Sequence, residues 1–166
     1  MLLKRTQILP LAVVLLVAAC CRPALAQERA MSAEDQKYAI ALLREAYAAF
    51  NRDDIAAAVK SLDPQIEWTE PAEFPGGGTY HGPSEVAGYL SASRAGWAEG
   101  ASEPEKFLVH DHRVVVFVYA RFRLKGSDAW NEVRLADVYT FLDGTPIQMR
   151  AFADRAAALD WAGVKH

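Results

Sequence analysis

The chain has 166 residues, 52% of them hydrophobic and 23% charged, with a formal net charge of −3. That is enough chain for one globular domain of ordinary composition, and it excludes a repeat array or a disordered polymer. Lys4, Arg5 and Arg22 are the only charged residues before position 27, so residues 27–166 carry −6, an acidic balance that argues against nucleic-acid binding.

Lys4 and Arg5 precede an apolar run from Ile8 to Ala19, short for a membrane span. Ala24-Leu25-Ala26 then supplies small residues at the positions a signal peptidase reads. Residues 1–26 are thus expected to be a secretory signal cleaved before Gln27, and the protein to be exported, periplasmic or secreted. An alternative is a lipoprotein: Val17-Ala18-Ala19-Cys20 resembles a lipobox, in which Cys20 would be acylated. Both cysteines, Cys20 and Cys21, lie in this segment. A domain starting at Gln27 therefore has no disulfide, no thiol nucleophile and no thiolate metal site. No later stretch is long and apolar enough to span a bilayer.

Residues 27–31 read as a flexible arm, the domain proper as 32–162, and 163–166 as a tail. Ser32 is an N-cap, with Glu34 and Asp35 favoured in the first turn. Ala39, Leu42, Leu43, Ala46, Tyr47 and Phe50 recur at helical spacing. A second short helix is capped near Asp53 and stopped at Asp63-Pro64. Gln65 to Glu70 reads as a strand that puts Ile66, Trp68 and Glu70 on one face. Pro71 to Gly82 reads as an irregular loop. A third helix starts near Pro83, its inward stripe being Val86, Tyr89, Leu90, Ser93 and Trp97.

The remainder is mostly strand: Lys106 to His110, Val114 to Leu124, Trp130 to Leu142, then a hairpin at Asp143-Gly144 into Pro146 to Ala153. Asp154 would cap a last helix through Trp161. Helices first and an antiparallel meander after give an α+β domain. The expected form is a cone: a strongly bent, mostly antiparallel sheet with three N-terminal helices on its concave side, and a ligand site at its mouth.

Two carboxylates stand in apolar rows. Glu70 follows Ile66 and Trp68. Asp137 shares a strand face with Val133, Leu135, Tyr139 and Phe141. Such placement disfavours the ionised form and raises a pKa. Two acids around one pocket can divide proton transfer between them, one taking a proton and one donating a hydrogen bond. The competing readings are a strand-end Glu70 paired with Arg134 or Arg150, and a structural Asp137. Trp68, Tyr80, Trp97 and Tyr139 could form an aromatic lining or plain core. Arg150, Phe152 and Asp154 share a face and could add to the lining, although Asp154 suits a helix cap better. His110 and His112 straddle a turn and do not make a metal site. Gly76-Gly77-Gly78 lacks the residues of a phosphate loop, and no Gly-x-Ser-x-Gly or His-Glu-x-x-His occurs.

Several segments together resemble the SnoaL-like and ketosteroid-isomerase-like members of the nuclear transport factor 2-like superfamily (a cystatin-like fold). These are Asn51-Arg52-Asp53-Asp54-Ile55, Trp68-Thr69-Glu70-Pro71, Tyr80-His81-Gly82, Asp137-Val138-Tyr139-Thr140-Phe141 and Ile147-Gln148-Met149-Arg150-Ala151-Phe152. The resemblance implies a homodimer formed through the sheet face. It also implies Glu70 as general base and Asp137 as the acid that hydrogen-bonds a developing oxyanion, logic known for ketosteroid isomerase. The ligand would be a small hydrophobic molecule, and no cofactor is implied. The isomerase tyrosine on the first helix matches Ala46, and Tyr47, about 100° further round, is expected to point elsewhere. The same fold also carries cyclases, epoxide hydrolases and non-catalytic binders.

Overall fold

A computed structural model describes residues 30–165. The expected leader, Cys20 and the cleavage site lie outside the described residues. At the end of the expected arm, Met31 is tied down: its N–H donates to the Asp111 carbonyl at 2.9 Å, and its side chain packs on the core.

The elements run α1 (Ala33–Asn51), α2 (Ile55–Val59), β1 (Glu67–Glu70), β2 (Gly78–His81), α3 (Gly82–Ala95), β3 (Trp97–His110), β4 (Arg113–Leu124), β5 (Trp130–Leu142), β6 (Thr145–Phe152) and α4 (Arg155–Ala162). Helix α1 starts at a capping box. Ser32 Oγ accepts from the Asp35 N–H, and the Asp35 carboxylate accepts from the Ser32 N–H, so two orphan donors are satisfied. Asp54 caps α2 and Asp154 caps α4 more simply, each carboxylate accepting one backbone N–H, from Ala57 and Ala156.

The six strands form one mixed sheet in the order β2-β1-β6-β5-β4-β3. Only β1 and β6 pair in parallel. Helices α1 to α3 lie on one face, over a core that includes Leu43, Ile66, Val86, Val116, Tyr139 and Met149. Helix α4 lies on the other, over Val115, Ala136 and Val138. Strand alternation sorts the residues: on β5, Leu135, Asp137, Tyr139 and Phe141 face the three helices, while Ala136 and Val138 face α4.

Two elements differ from the sequence reading. Residues 78–81 form an edge strand on β1, not loop. Strand β3 begins at Trp97, nine residues before its expected start, so Trp97 belongs to β3 and not to α3. Gly96 caps α3, while Gly100 and Pro104 lie inside the edge strand, which has irregularities between Trp97 and Glu99 and between Pro104 and Lys106. Gly100, at φ +132°, passes so close to β4 that a Cβ there would sit 2.4 Å from Phe122 Cα. At this position glycine permits a close strand crossing rather than ending an element.

Candidate acid pair on the concave face

The register brings the two acids into one row. Thr69 lies opposite Arg150, so Glu70 comes next to Ala151, and Ala151 pairs with Asp137. One strand, carrying only a methyl group at that point, separates them. Two strand spacings put their Cα atoms about 10 Å apart, with both side chains on the helix-covered face.

Each acid is held by neutral donors. Trp68 Nε1–H donates to Glu70 Oε1 at 2.7 Å, and Glu70 is 9% exposed. The Tyr89 hydroxyl, on α3, also serves Glu70 as a donor. The Tyr47 hydroxyl, on α1, donates to Asp137 Oδ2. Tyr139 approaches Tyr47 and packs edge-on against Trp68, ring centroids 6.0 Å apart.

Burial dominates the electrostatics. Desolvation, with the nearby Asp137 charge, pushes Glu70 up to about 8 against the lowering effect of its two donors. Desolvation pushes Asp137 up to about 6, and the Tyr47 bond holds it back. The same burial and the neighbouring carboxylates raise Tyr47, Tyr89 and Tyr139, which stay neutral donors. Near neutrality the pair therefore holds about one proton, which belongs to the two carboxyls together.

The other expected site residues divide by face. Trp68 and Tyr139 are buried in the main core beside the acids. Tyr80 packs against that core and stacks on Tyr89 at 4.8 Å. Trp97 stacks on Phe122 at 4.5 Å and meets Phe50 edge-on, one helical turn along α1 from Tyr47. Arg150, Phe152 and Asp154 do not line this site. Arg150 and Phe152 point to the α4 side, where the Arg150 guanidinium lies over Phe152 and Trp161. Asp154 caps α4, its Oδ1 accepting from the Ala156 N–H at 2.8 Å. Arg134 lies over Tyr119 on that outer face too, so neither arginine pairs with Glu70.

Sequence reasoning missed Tyr47 and Tyr89 as site residues. Ala46 instead faces a surface cleft between α1 and α2, and Tyr47 takes the concave position. The signal for both tyrosines was their place on the inward stripes of α1 and α3. Beside α1 lies an open cleft of about 530 Å³, bordered by Arg44, Tyr47, Asn51, Glu103 and Pro104. Neither cleft is lined by Glu70 or Asp137; the larger one reaches the acid pair through Tyr47.

The sequence model for the SnoaL-like domain matches residues 43–147, more than half the chain. The chain belongs to the SnoaL-like domain family. None of the curated proteins matches it. Among solved structures, it is similar to an NTF2-like protein of unknown function from Burkholderia pseudomallei. The identity is 26% over 78% of this chain and 97% of that one, with a TM-score of 0.64. TerC, co-crystallised with polyporic acid, is 23% identical over 76% and 98% of the two chains, with a TM-score of 0.61. SalBIII, an epoxide hydrolase/cyclase-like enzyme in pyran ring formation in the polyether salinomycin, is 17% identical over 74% and 95%, again at 0.61. At these identities TerC and SalBIII share the fold with this SnoaL-like domain and no more.

Proposed function

We propose that this SnoaL-like protein binds a small hydrophobic carbonyl compound on the helix-covered face and moves a proton with the Glu70–Asp137 pair, as an isomerase or cyclase does. The observation that carries this reading is the pair itself: two carboxyls one strand apart on the helix-covered face, each held by neutral donors and both raised by burial. Ionised Asp137 takes a proton from carbon next to the carbonyl. Protonated Glu70 hydrogen-bonds the oxygen as negative charge develops there. The proton on Asp137 then returns to another carbon, which restores the pair. The likeness to SalBIII supports this class through the fold alone. Entry along the α1–β3 cleft brings a ligand first against Tyr47.

The test is exchange of α-hydrogens for deuterium in a panel of cyclic enones, followed by NMR from pH 5 to 9. The expected profile is a bell, rising as Asp137 ionises near 6 and falling as Glu70 ionises near 8. Asp137→Asn should lose at least about 100-fold, the usual worth of a positioned base. Glu70→Gln keeps a donor and should lose the alkaline limb. Exchange no faster than in buffer across the panel would sink the catalytic reading. A small molecule retained in native mass spectra would then favour a binding module, the reading that the absence of either acid from both cleft linings supports.

Export and pairing belong to the same proposal. The mature chain would start at Gln27, with acylated Cys20 as the alternative terminus, and an intact mass distinguishes the two. A homodimer would form through the part of the outer sheet face that α4 leaves open, around Tyr119, Trp130 and Arg134.

A further inference from the structure

The β1–β2 loop reaches the acid pair through two tyrosines. Turn hydrogen bonds from Phe74 N–H to the Pro71 carbonyl (3.0 Å) and from Gly77 N–H to the Phe74 carbonyl (2.8 Å) fold the loop back on itself. The Tyr80 hydroxyl donates to the Gly76 carbonyl and closes the loop onto β2. Gly76, at φ +75°, then lies against Tyr89: a Cβ built there would sit 3.3 Å from the Tyr89 ring edge. Tyr80 covers one flat side of the same ring, at 4.8 Å and an interplanar angle of 30°. The Tyr89 ring is thus held by Gly76 at its edge and Tyr80 on its face, and its hydroxyl serves Glu70. The other groups that face Glu70 are Trp68 on β1, itself the ladder partner of Tyr80, and Asp137 and Tyr139 on β5.

We propose that Tyr89 is a positioning residue for Glu70 and that the Tyr80–Gly76 latch sets its position, so that the state of the β1–β2 loop is transmitted to the acid pair. The inference rests on Glu70 being the proton-carrying group of the proposed reaction. A substrate that displaces the loop from Tyr89 withdraws one of the two donors of Glu70. The carboxyl then binds its proton more tightly, which keeps it the donor while Asp137 works as base. Loop and ring together couple substrate entry to the division of labour between the acids.

The experiment is a pH titration of the full mature chain carrying ¹³Cδ-labelled glutamate, with and without substitutions. Tyr89→Phe removes a donor to the carboxylate and should raise the Glu70 midpoint by about one unit. Tyr80→Phe removes a hydroxyl that touches Gly76 and not Glu70. It should shift the midpoint in the same direction by a few tenths of a unit, and add little in the double variant. Faster hydrogen exchange at the Phe74 and Gly77 amides in Tyr80→Phe reports whether the latch opened. A Glu70 midpoint unmoved in Tyr80→Phe, with those amides exchanging faster, overturns the latch. A midpoint unmoved in Tyr89→Phe overturns the positioning role. No substrate is needed, so a failed enone-exchange assay and a failed titration are separate results.

Discussion

Replacing Glu70 by glutamine should flatten the pH dependence of this protein's stability above pH 6. The direction follows from the raised midpoint, about 8 in the folded chain against 4.5 for an ordinary glutamate. Between these values the folded state holds a proton that the unfolded state has released. Stability is fully present below the unfolded value and is lost as pH rises through the folded one. Each pH unit in that window costs about 1.4 kcal/mol, so the Glu70 contribution between pH 5 and 8 is on the order of 4 kcal/mol. For a domain of this size that corresponds to a melting-temperature drop of roughly 10 °C. Asp137, raised to about 6, adds a similar slope that ends about two units lower. In Glu70→Gln the amide can still accept from Trp68 and carries no titration, so only the Asp137 portion should remain. Urea melts by circular dichroism at half-unit intervals from pH 5 to 9 measure this. Parallel curves for wild type and Glu70→Gln would refute the argument, since they would mean that Glu70 ionises at an ordinary pH and is open to water.

Tyr47→Phe removes the hydroxyl donor of Asp137; a hydrogen bond to a charged group is worth about 1.5–3 kcal/mol, so the Asp137 midpoint should rise by about one to two units in a ¹³C-aspartate titration. Gly100→Ala puts a Cβ 2.4 Å from the Arg121 carbonyl oxygen at a φ of +132°; urea unfolding should show a loss of roughly 3 kcal/mol or more, and a loss under 1 would mean that β3 moves away from β4 freely. Trp130→Glu, at a residue 42% exposed on the open half of the outer face, should shift the mass by light scattering from two chains to one; an unchanged mass removes that face from the proposed interface.

The helices were legible because their caps and stripes are local signals. Ser32 caps α1 where the sequence places it, and Ala39, Leu43 and Tyr47 form its buried row. The long strands β4 and β5 were legible because their alternation persists over a dozen residues. The start of β3 was not, because a glycine that permits close packing and a glycine that ends a helix look alike in sequence; Gly100 is the first kind. Strand alternation places Glu70 and Asp137 each on an apolar face, and the β1–β6 and β5–β6 registers put the two into one row. Alternation also explains the error at β6. Arg150 and Phe152 lie two residues apart on one face, but whether that face meets α1 or α4 depends on the β1–β6 register, a non-local fact. Tyr47 was misjudged by treating a one-residue offset from Ala46 as decisive, when the helix orientation on the sheet sets which of the two points inward.

The choice of partners for the acids argues for a chemical rather than a structural role. A fold that needed only to satisfy two carboxylates on a covered face could have used guanidinium groups, which would lower both midpoints. Arginines are plentiful on the sheet, and Arg113, Arg121, Arg123, Arg134 and Arg150 all stand on the outer face, over aromatic rings or paired with acids. On the concave face the donors are Trp68, Tyr89 and Tyr47, none of which brings a charge at neutral pH. Neutral donors fix the orientation of a carboxyl and leave its proton affinity high. The alternation that sends every one of those arginines outward therefore leaves one exchangeable proton between Glu70 and Asp137 near neutrality, held in geometry by hydrogen bonds and costing stability that a packed Val or Leu at the same position would not cost.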